Sequence, residues 1–200
     1  MDDFTPYGDS FLEGLKSMEK VIEICIQVRV SLSTVKFHMI IEEGIVLGNF
    51  LSAEGIGMDS AKIKVILHFS TPKMPTQVRS FIGCTGYYRH FIENFAKVAH
   101  PLFQSVTKDS EFVWPDDCDA VFTKIKELVY SAPILRGPDW TLPFHIHTNA
   151  SQTSIGPVLG QQEDKVPYAV YYVSKKLDSV ELNYTIEKEF LVVVYAINKF

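Results

Sequence analysis

Two adjacent carboxylates, Asp2 and Asp3, stand near the start of this 200-residue chain. A second acidic pair, Glu187 and Glu189, stands near its end on a stretch of helical period. Converging carboxylates hold divalent ions for chemistry on phosphodiesters. Two ions about 3.5–4 Å apart act together, one activating the attacking oxygen and one stabilising the leaving oxygen. A carboxylate at a strand end, facing another on the adjacent helix, suits that task. Here the strand ends His147-Thr148-Asn149-Ala150-Ser151, so an amide stands opposite Glu189. An amide is neutral and offers one carbonyl oxygen, which makes Asn149 a poor replacement for a carboxylate ligand of Mg²⁺. Asp2 and Asp3 have two readings from position alone, a metal site or a solvated chain end. His145 and His147 are two residues apart and so share one strand face. They read either as a metal-binding pair or as part of a half-exposed strand.

The charge distribution adds a second kind of chemistry. Net charge is −5, which does not fit a free-standing nucleic-acid binder. Between residues 60 and 108, however, Lys62, Lys64, Lys73, Arg79, Arg89, Lys97 and Lys108 face Glu93 alone. That segment carries +6 and the remainder −11. A basic block in an acidic chain either meets phosphate or is a lysine-rich solvated helix face. Tyr87, Tyr88, Phe91 and Phe95 recur within it at helical spacing and read as core more readily than as base-stacking platforms.

The elements that must position these groups follow from period and punctuation. Residues 10–29 read as an amphipathic helix. Ser10 is its N-cap, Glu13 has capping-box spacing, and Leu12, Leu15, Met18, Ile22 and Ile26 form a core-facing stripe. Residues 36–57 read as a hairpin or three-strand meander broken at Gly44 and Gly55. Asp59 caps a further helix. Two helices are expected between Thr76 and Thr107. Gly83 and Gly86 in the first suggest a kink or a close backbone approach, since each costs roughly 1 kcal/mol against Ala. A short strand should precede Trp114, with Pro115 opening a helix that runs to about Tyr130 and turns Phe122, Ile125 and Val129 to one side. Pro133 and residues 137–140 mark a linker. Three antiparallel strands follow, then a helix from about Asn183 to Phe200 that ends without a capping residue, so the chain reads as cut. Pro157 removes a ladder donor from the middle strand.

Composition bounds the class: 46% hydrophobic and 22% charged residues are those of an ordinary globular protein. No apolar run reaches the ~18–20 residues of a membrane span, and no secretory signal opens the chain. Cys25, Cys84 and Cys118 lack metal-ligand spacing and read as reduced thiols of an intracellular protein.

Several motifs, in order, carry a resemblance. LGNFLSAEGI at 47–56 is similar to Leu-Gly-His-x-x-Ser-x-x-Gly-Ile, with Asn49 in the His place. VRSFIGCTGYYRHFIENFAKVAHPL at 78–102 resembles Phe-Leu-Gly followed by Tyr-Tyr-Arg-x-Phe-Ile and Pro-Leu. FVWPDDCDAVFTKIKELVYSAPIL at 112–135 keeps Phe-x-Trp, Phe and Ala-Pro-x-Leu in register. Asn149-Ala150-Ser151 stands where Asp-Ala-Ser is usual, and YTIEKEFLVVV at 184–194 resembles Tyr-x-x-x-Glu-Lys-Glu-Leu-Leu-Ala-Val-Val. On these residues the chain resembles the reverse transcriptase/RNase H polyprotein of gypsy-type long-terminal-repeat retrotransposons.

The resemblance implies an α+β fold in three parts. Residues 1–57 are the end of the polymerase palm, a helix with β-hairpins. Residues 58–136 are the helical thumb and connection. Residues 137–200 are the leading part of an RNase H-like domain, a three-stranded antiparallel sheet plus helix. Met1-Asp2-Asp3 resembles the end of the polymerase signature. By the resemblance, Asp2 and Asp3 are its catalytic metal ligands, Glu189 is the RNase H metal ligand, and Asn149 holds the place of a catalytic Asp. The remaining carboxylates of both sets fall outside these 200 residues. Mg²⁺ is the implied cofactor, and RNA/DNA template–primer or RNA–DNA hybrid the implied partner. Arg79, Arg89 and Lys97 would contact its backbone. The expectation is a chain inactive in isolation. The alternative is a non-enzymatic nucleic-acid-binding or protein-interaction remnant, with an exposed sheet edge offered to a protein partner.

Overall fold

The computed structural model describes residues 4–33, 41–106, 112–183 and 187–200. Helix α1, Phe11–Gln27, begins where its signals place it: the Ser10 hydroxyl accepts from the backbone N–H of Glu13 at 3.3 Å. Its apolar stripe does not form core. Leu12 is 59% and Ile26 71% exposed, Leu15 and Ile22 are also exposed, and α1 joins neither hydrophobic cluster of the described residues. Local period and a cap suffice to form the helix, but burial also needs a packing partner.

The meander forms as strands β1 (Gly44–Val46), β2 (Asn49–Ser52) and β3 (Gly55–Met58), antiparallel in that order. Residues 36–40 of the predicted meander lie outside the described residues. Leu47 and Gly48 both take positive φ, at 48° and 75°, and make the two-residue hairpin turn whose twist matches the strands. Gly55, at φ 138°, lies against the Leu135 carbonyl, where any side chain would collide. There Ile56 and Leu135 exchange two backbone hydrogen bonds of 2.8 Å, tying the distant loop to β3.

Asp59 caps α2 (Ser60–His68), accepting from the Ala61 N–H at 2.8 Å. Helix α3 (Pro75–Tyr87) is unbroken at Gly83 and Gly86. Nothing outside the helix lies within 4 Å of where a Cβ would stand on either glycine, so the expected close backbone approach is absent. The second predicted helix is replaced by a 3₁₀ turn (Arg89–Phe91), α4 (Phe95–Val98) and α5 (His100–Gln104). Asn94 at φ 53° and Pro101 interrupt the helical path. Residues 112–114 form no strand, and residues 107–111 lie outside the described residues. Pro115 caps α6 (Asp116–Tyr130) from just outside it instead of opening it.

The main core gathers between α2, α3, α5 and α6. Phe81, Tyr88, Phe91, Leu102, Phe122, Ile125 and Val129 are buried there, with the Phe81 and Phe122 rings 4.5 Å apart. Full burial of each large side chain contributes about 1.5–3 kcal/mol. Of the aromatic quartet, Tyr88, Phe91 and Phe95 are core as predicted, whereas the Tyr87 ring is exposed.

The final region carries β4 (His145–His147), β6 (Val158–Glu163) and β7 (Val166–Tyr172), antiparallel in that order. The predicted middle strand is split at Gly156-Pro157. Its first part, β5 (Ser154–Ile155), pairs instead with β8 (Lys175–Lys176). Pro157 lacks an N–H but still accepts from Val173 N at 3.0 Å. A 3₁₀ turn (Glu181–Asn183) precedes α7 (Glu187–Lys199), which starts later than Asn183. Val192 packs with Ile155 and Leu177 in a second, small core.

The helical part and the sheet are joined. His90 stacks on Tyr171 with ring centroids 5.3 Å apart and planes 8° from parallel. Ala169 and Tyr172 of β7 pack on the helical core. These are the mixed helices and three-stranded antiparallel sheets anticipated for the chain.

Candidate metal ligands and nucleic-acid interface

Asn149 lies just beyond β4 with its side chain exposed. Its backbone carbonyl accepts from the Gly156 N–H at 2.8 Å. The loop beyond is closed by Ser151, whose hydroxyl accepts from Ser154 N at 3.0 Å and donates to Ser154 O at 2.9 Å. The Lys188 ammonium donates to Gln152 O at 3.3 Å, which brings the first turn of α7 beside this loop. Glu189 follows, exposed. The Lys188–Gln152 bond thus ties the start of α7 to the loop that follows Asn149. Asp2 and Asp3 lie outside the described residues.

The donors do not fit a two-ion Mg²⁺ centre. Among the side chains described at the strand end and the start of α7, Asn149 is a neutral amide and Glu189 a carboxylate. Among the described residues, no group of three or more His, Cys, Asp or Glu is placed to hold a metal. Mg²⁺ keeps near-ideal octahedral geometry and is reluctant to lose water, so it needs charged oxygen ligands that Asn149 does not supply.

The basic residues sit on the helical part. Arg79 is exposed on α3 and donates to the Val106 carbonyl at 3.2 Å. Arg89 opens the 3₁₀ turn and Lys97 lies in α4, both exposed. Beside them, His90 is half-buried, and that burial holds its pKa below the ordinary value. The Arg89 guanidinium pushes the same way, while a backbone hydrogen bond with Tyr87 opposes.

Sequence reasoning missed a clamp that fixes the hairpin turn against these helices. The Tyr88 hydroxyl donates to Gly48 O at 2.7 Å, and the Tyr87 hydroxyl donates to Leu47 O. Burial pushes the Tyr88 phenol pKa up, with nearby Asp59 adding to the shift. The only trace in the sequence was the Tyr-Tyr pair, which does not say what lies forty residues away.

A three-stranded antiparallel sheet joined through β7 to a helical bundle, with α7 packed on the neighbouring β5–β8 pair, is the architecture of an RNase H-like region attached to a reverse transcriptase. Residues 114–200 match the model of the RNase H-like domain found in reverse transcriptase. The chain as a whole is a homologue of retrotransposon Pol polyproteins, which bears out the resemblance read from its motifs. It is 32% identical over 202 residues to the retrovirus-related Pol polyprotein from transposon 297 of Drosophila melanogaster, covering 100% of this chain and 19% of that protein. It is 29% identical to the Pol polyprotein from transposon opus of the same organism, covering 99% and 21%. It is 28% identical to the transposon Tf2-3 polyprotein of Schizosaccharomyces pombe, covering 97% and 15%. The chain therefore spans about a fifth or less of the length of these curated relatives. In fold it is similar to the foamy viral protease-reverse transcriptase in complex with RNA/DNA hybrid, with a TM-score of 0.80 at 22% identity over 96% of this chain and 26% of that one. The same viral protein in complex with dsDNA gives a TM-score of 0.76 over 96% and 40%. No described helix is long and apolar enough to cross a membrane.

Proposed function

We propose that the chain is the palm-end (1–57), thumb and connection (58–136) and RNase H-like (137–200) part of a gypsy-type retrotransposon reverse transcriptase. Its helical segment holds RNA/DNA template–primer or RNA–DNA hybrid. These 200 residues alone carry out neither RNA-directed DNA synthesis nor hybrid cleavage. The observation that carries this reading is the neutral amide of Asn149 just beyond the end of β4, at the position where the resemblance expects a carboxylate ligand. Support for the partner comes from the foamy viral protein of the same fold, captured on an RNA/DNA hybrid, and from exposed Arg79, Arg89 and Lys97. Asp2 and Asp3 in the polymerase position and Glu189 in the nuclease position are the inherited metal ligands in this reading, with Asn149 in the place of a lost one.

The experiment is a pair of Mg²⁺-dependent assays on the purified chain, primer extension and cleavage of a labelled hybrid, run beside a hybrid-binding titration in salt. Binding that weakens steeply with salt, with no turnover, supports the reading. Turnover abolished by substituting Asp3 or Glu189 refutes the inactivity, and absence of hybrid binding refutes the partner.

A further inference from the structure

The histidine pair on β4 plays no part in the function just described, and its geometry is specific. His145 and His147 alternate with Ile146 on an extended strand, so both imidazoles leave the same face. β4 is the outer strand of its sheet, paired on one side only, and both histidines are exposed. Among the described residues, no hydrogen bond, ion pair or ring contact engages either imidazole.

A second observation concerns the space both rings border. On β6, the residue directly across from His145 is Gly160. It presents no side chain, and the site a Cβ would occupy lies 3.9 Å from Cδ2 of His147. The His147 ring therefore leans over the gap opposite His145. Gly160 cannot fill that gap, because a Cβ there would also lie 2.8 Å from the Tyr168 carbonyl oxygen at the bulge in β6. Two unengaged imidazoles thus border one open patch, with Val158 opposite His147 supplying no competing donor.

We propose that His145 and His147 form a two-imidazole chelate for a borderline divalent transition ion of the Ni²⁺, Cu²⁺ and Zn²⁺ group. Imidazole nitrogen suits these ions and not Mg²⁺, which selects oxygen. Each ring nitrogen binds at about 2.0–2.1 Å, and water completes the shell, since among the described residues no group of three His, Cys, Asp or Glu is placed to hold a metal. The site is independent of the nuclease-type position at Asn149 and Glu189 and does not rest on the reading of function above.

The test is calorimetric titration of the full chain with NiCl₂. The parent should show one site that MgCl₂ in large excess does not displace. His145→Gln or His147→Gln should each weaken it roughly a hundredfold, through loss of the intramolecular second ligand. His68→Gln and His38→Gln should leave it unchanged. Circular dichroism of each variant checks that the fold is kept. Cu²⁺ electron paramagnetic resonance of the unmodified chain reads the ligands without any substitution, and two equatorial nitrogens are expected. Nickel binding that survives the His145→Gln/His147→Gln double substitution, a single-nitrogen copper signal, or no nickel site in the parent overturns the proposal.

Discussion

The backbone N–H of Ala96 donates to the hydroxyl of Ser174 at 3.0 Å, a buried bond across 78 residues of sequence. It fastens the start of α4 to the link between β7 and β8, beside the point where the Asn94 side chain lies against Gly156. Substituting Ser174→Ala leaves a buried donor without a partner. The expected cost is about 1–3 kcal/mol, read as a lower urea midpoint at unchanged slope. Ser174→Thr keeps the hydroxyl and should recover part of the loss.

Gln161 is buried to 1% exposure, and its amide is fully used. It donates to the carbonyls of Asp139 (2.7 Å) and Leu142 (3.1 Å), and accepts from Asp139 N (2.8 Å) and the Tyr168 hydroxyl (2.9 Å). This network holds the loop that carries the exposed Trp140. Gln161→Leu should destabilise the chain by at least about 2 kcal/mol, since several groups lose their partner at once. The same substitution should alter Trp140 fluorescence below the unfolding transition, as the loop is released. An unchanged midpoint would show that water satisfies those groups.

His90 makes stability depend on pH. Burial lowers its folded pKa below 6.5, with Arg89 contributing, so the folded state favours the neutral ring stacked on Tyr171. The unfolded chain then binds more protons on acidification. The stabilisation is complete above pH 6.5 and is lost as pH falls through the folded pKa. The His90→Gln variant should show a shallower loss of stability between pH 6.5 and 5 than the parent, in urea unfolding at each pH. Identical slopes in parent and variant would remove His90 as the cause.

Arg89 is exposed beside that joint, where it can reach a phosphate without the desolvation His90 has undergone. Arg89→Ala should weaken RNA–DNA hybrid binding and reduce the slope of log K against log salt by roughly 0.9, the value for one phosphate contact. Arg79→Ala should have a smaller effect, because that guanidinium already donates to Val106. Salt slopes equal to the parent's for both variants would place the nucleic acid elsewhere on the surface.

Much of the local structure was legible from residue type and spacing. Ser10 and Asp59 announced their helices because a side-chain oxygen at that position accepts the free N–H groups of the first turn. The hairpin turn at Leu47-Gly48 was less legible. Its left-handed pair includes a leucine, a residue that rarely adopts that conformation, and the Tyr87 and Tyr88 hydroxyls that hold it lie forty positions away. The split of the middle strand at Pro157 was foreshadowed by the missing donor, but its new partner, β8, was not.

The sequence by itself determined the chemistry present: an amide at Asn149, a carboxylate at Glu189, a basic stretch across the helices, and which segments coil or extend. These are properties of a residue and its near neighbours. Tertiary structure decided what that chemistry meets. Helices α1 and α6 carry apolar stripes of the same period, yet Phe122, Ile125 and Val129 of α6 are buried and Leu12 and Ile26 of α1 are not. Period says which residues share a face, but burial is the removal of that face from water by another surface, and only the packed chain supplies one.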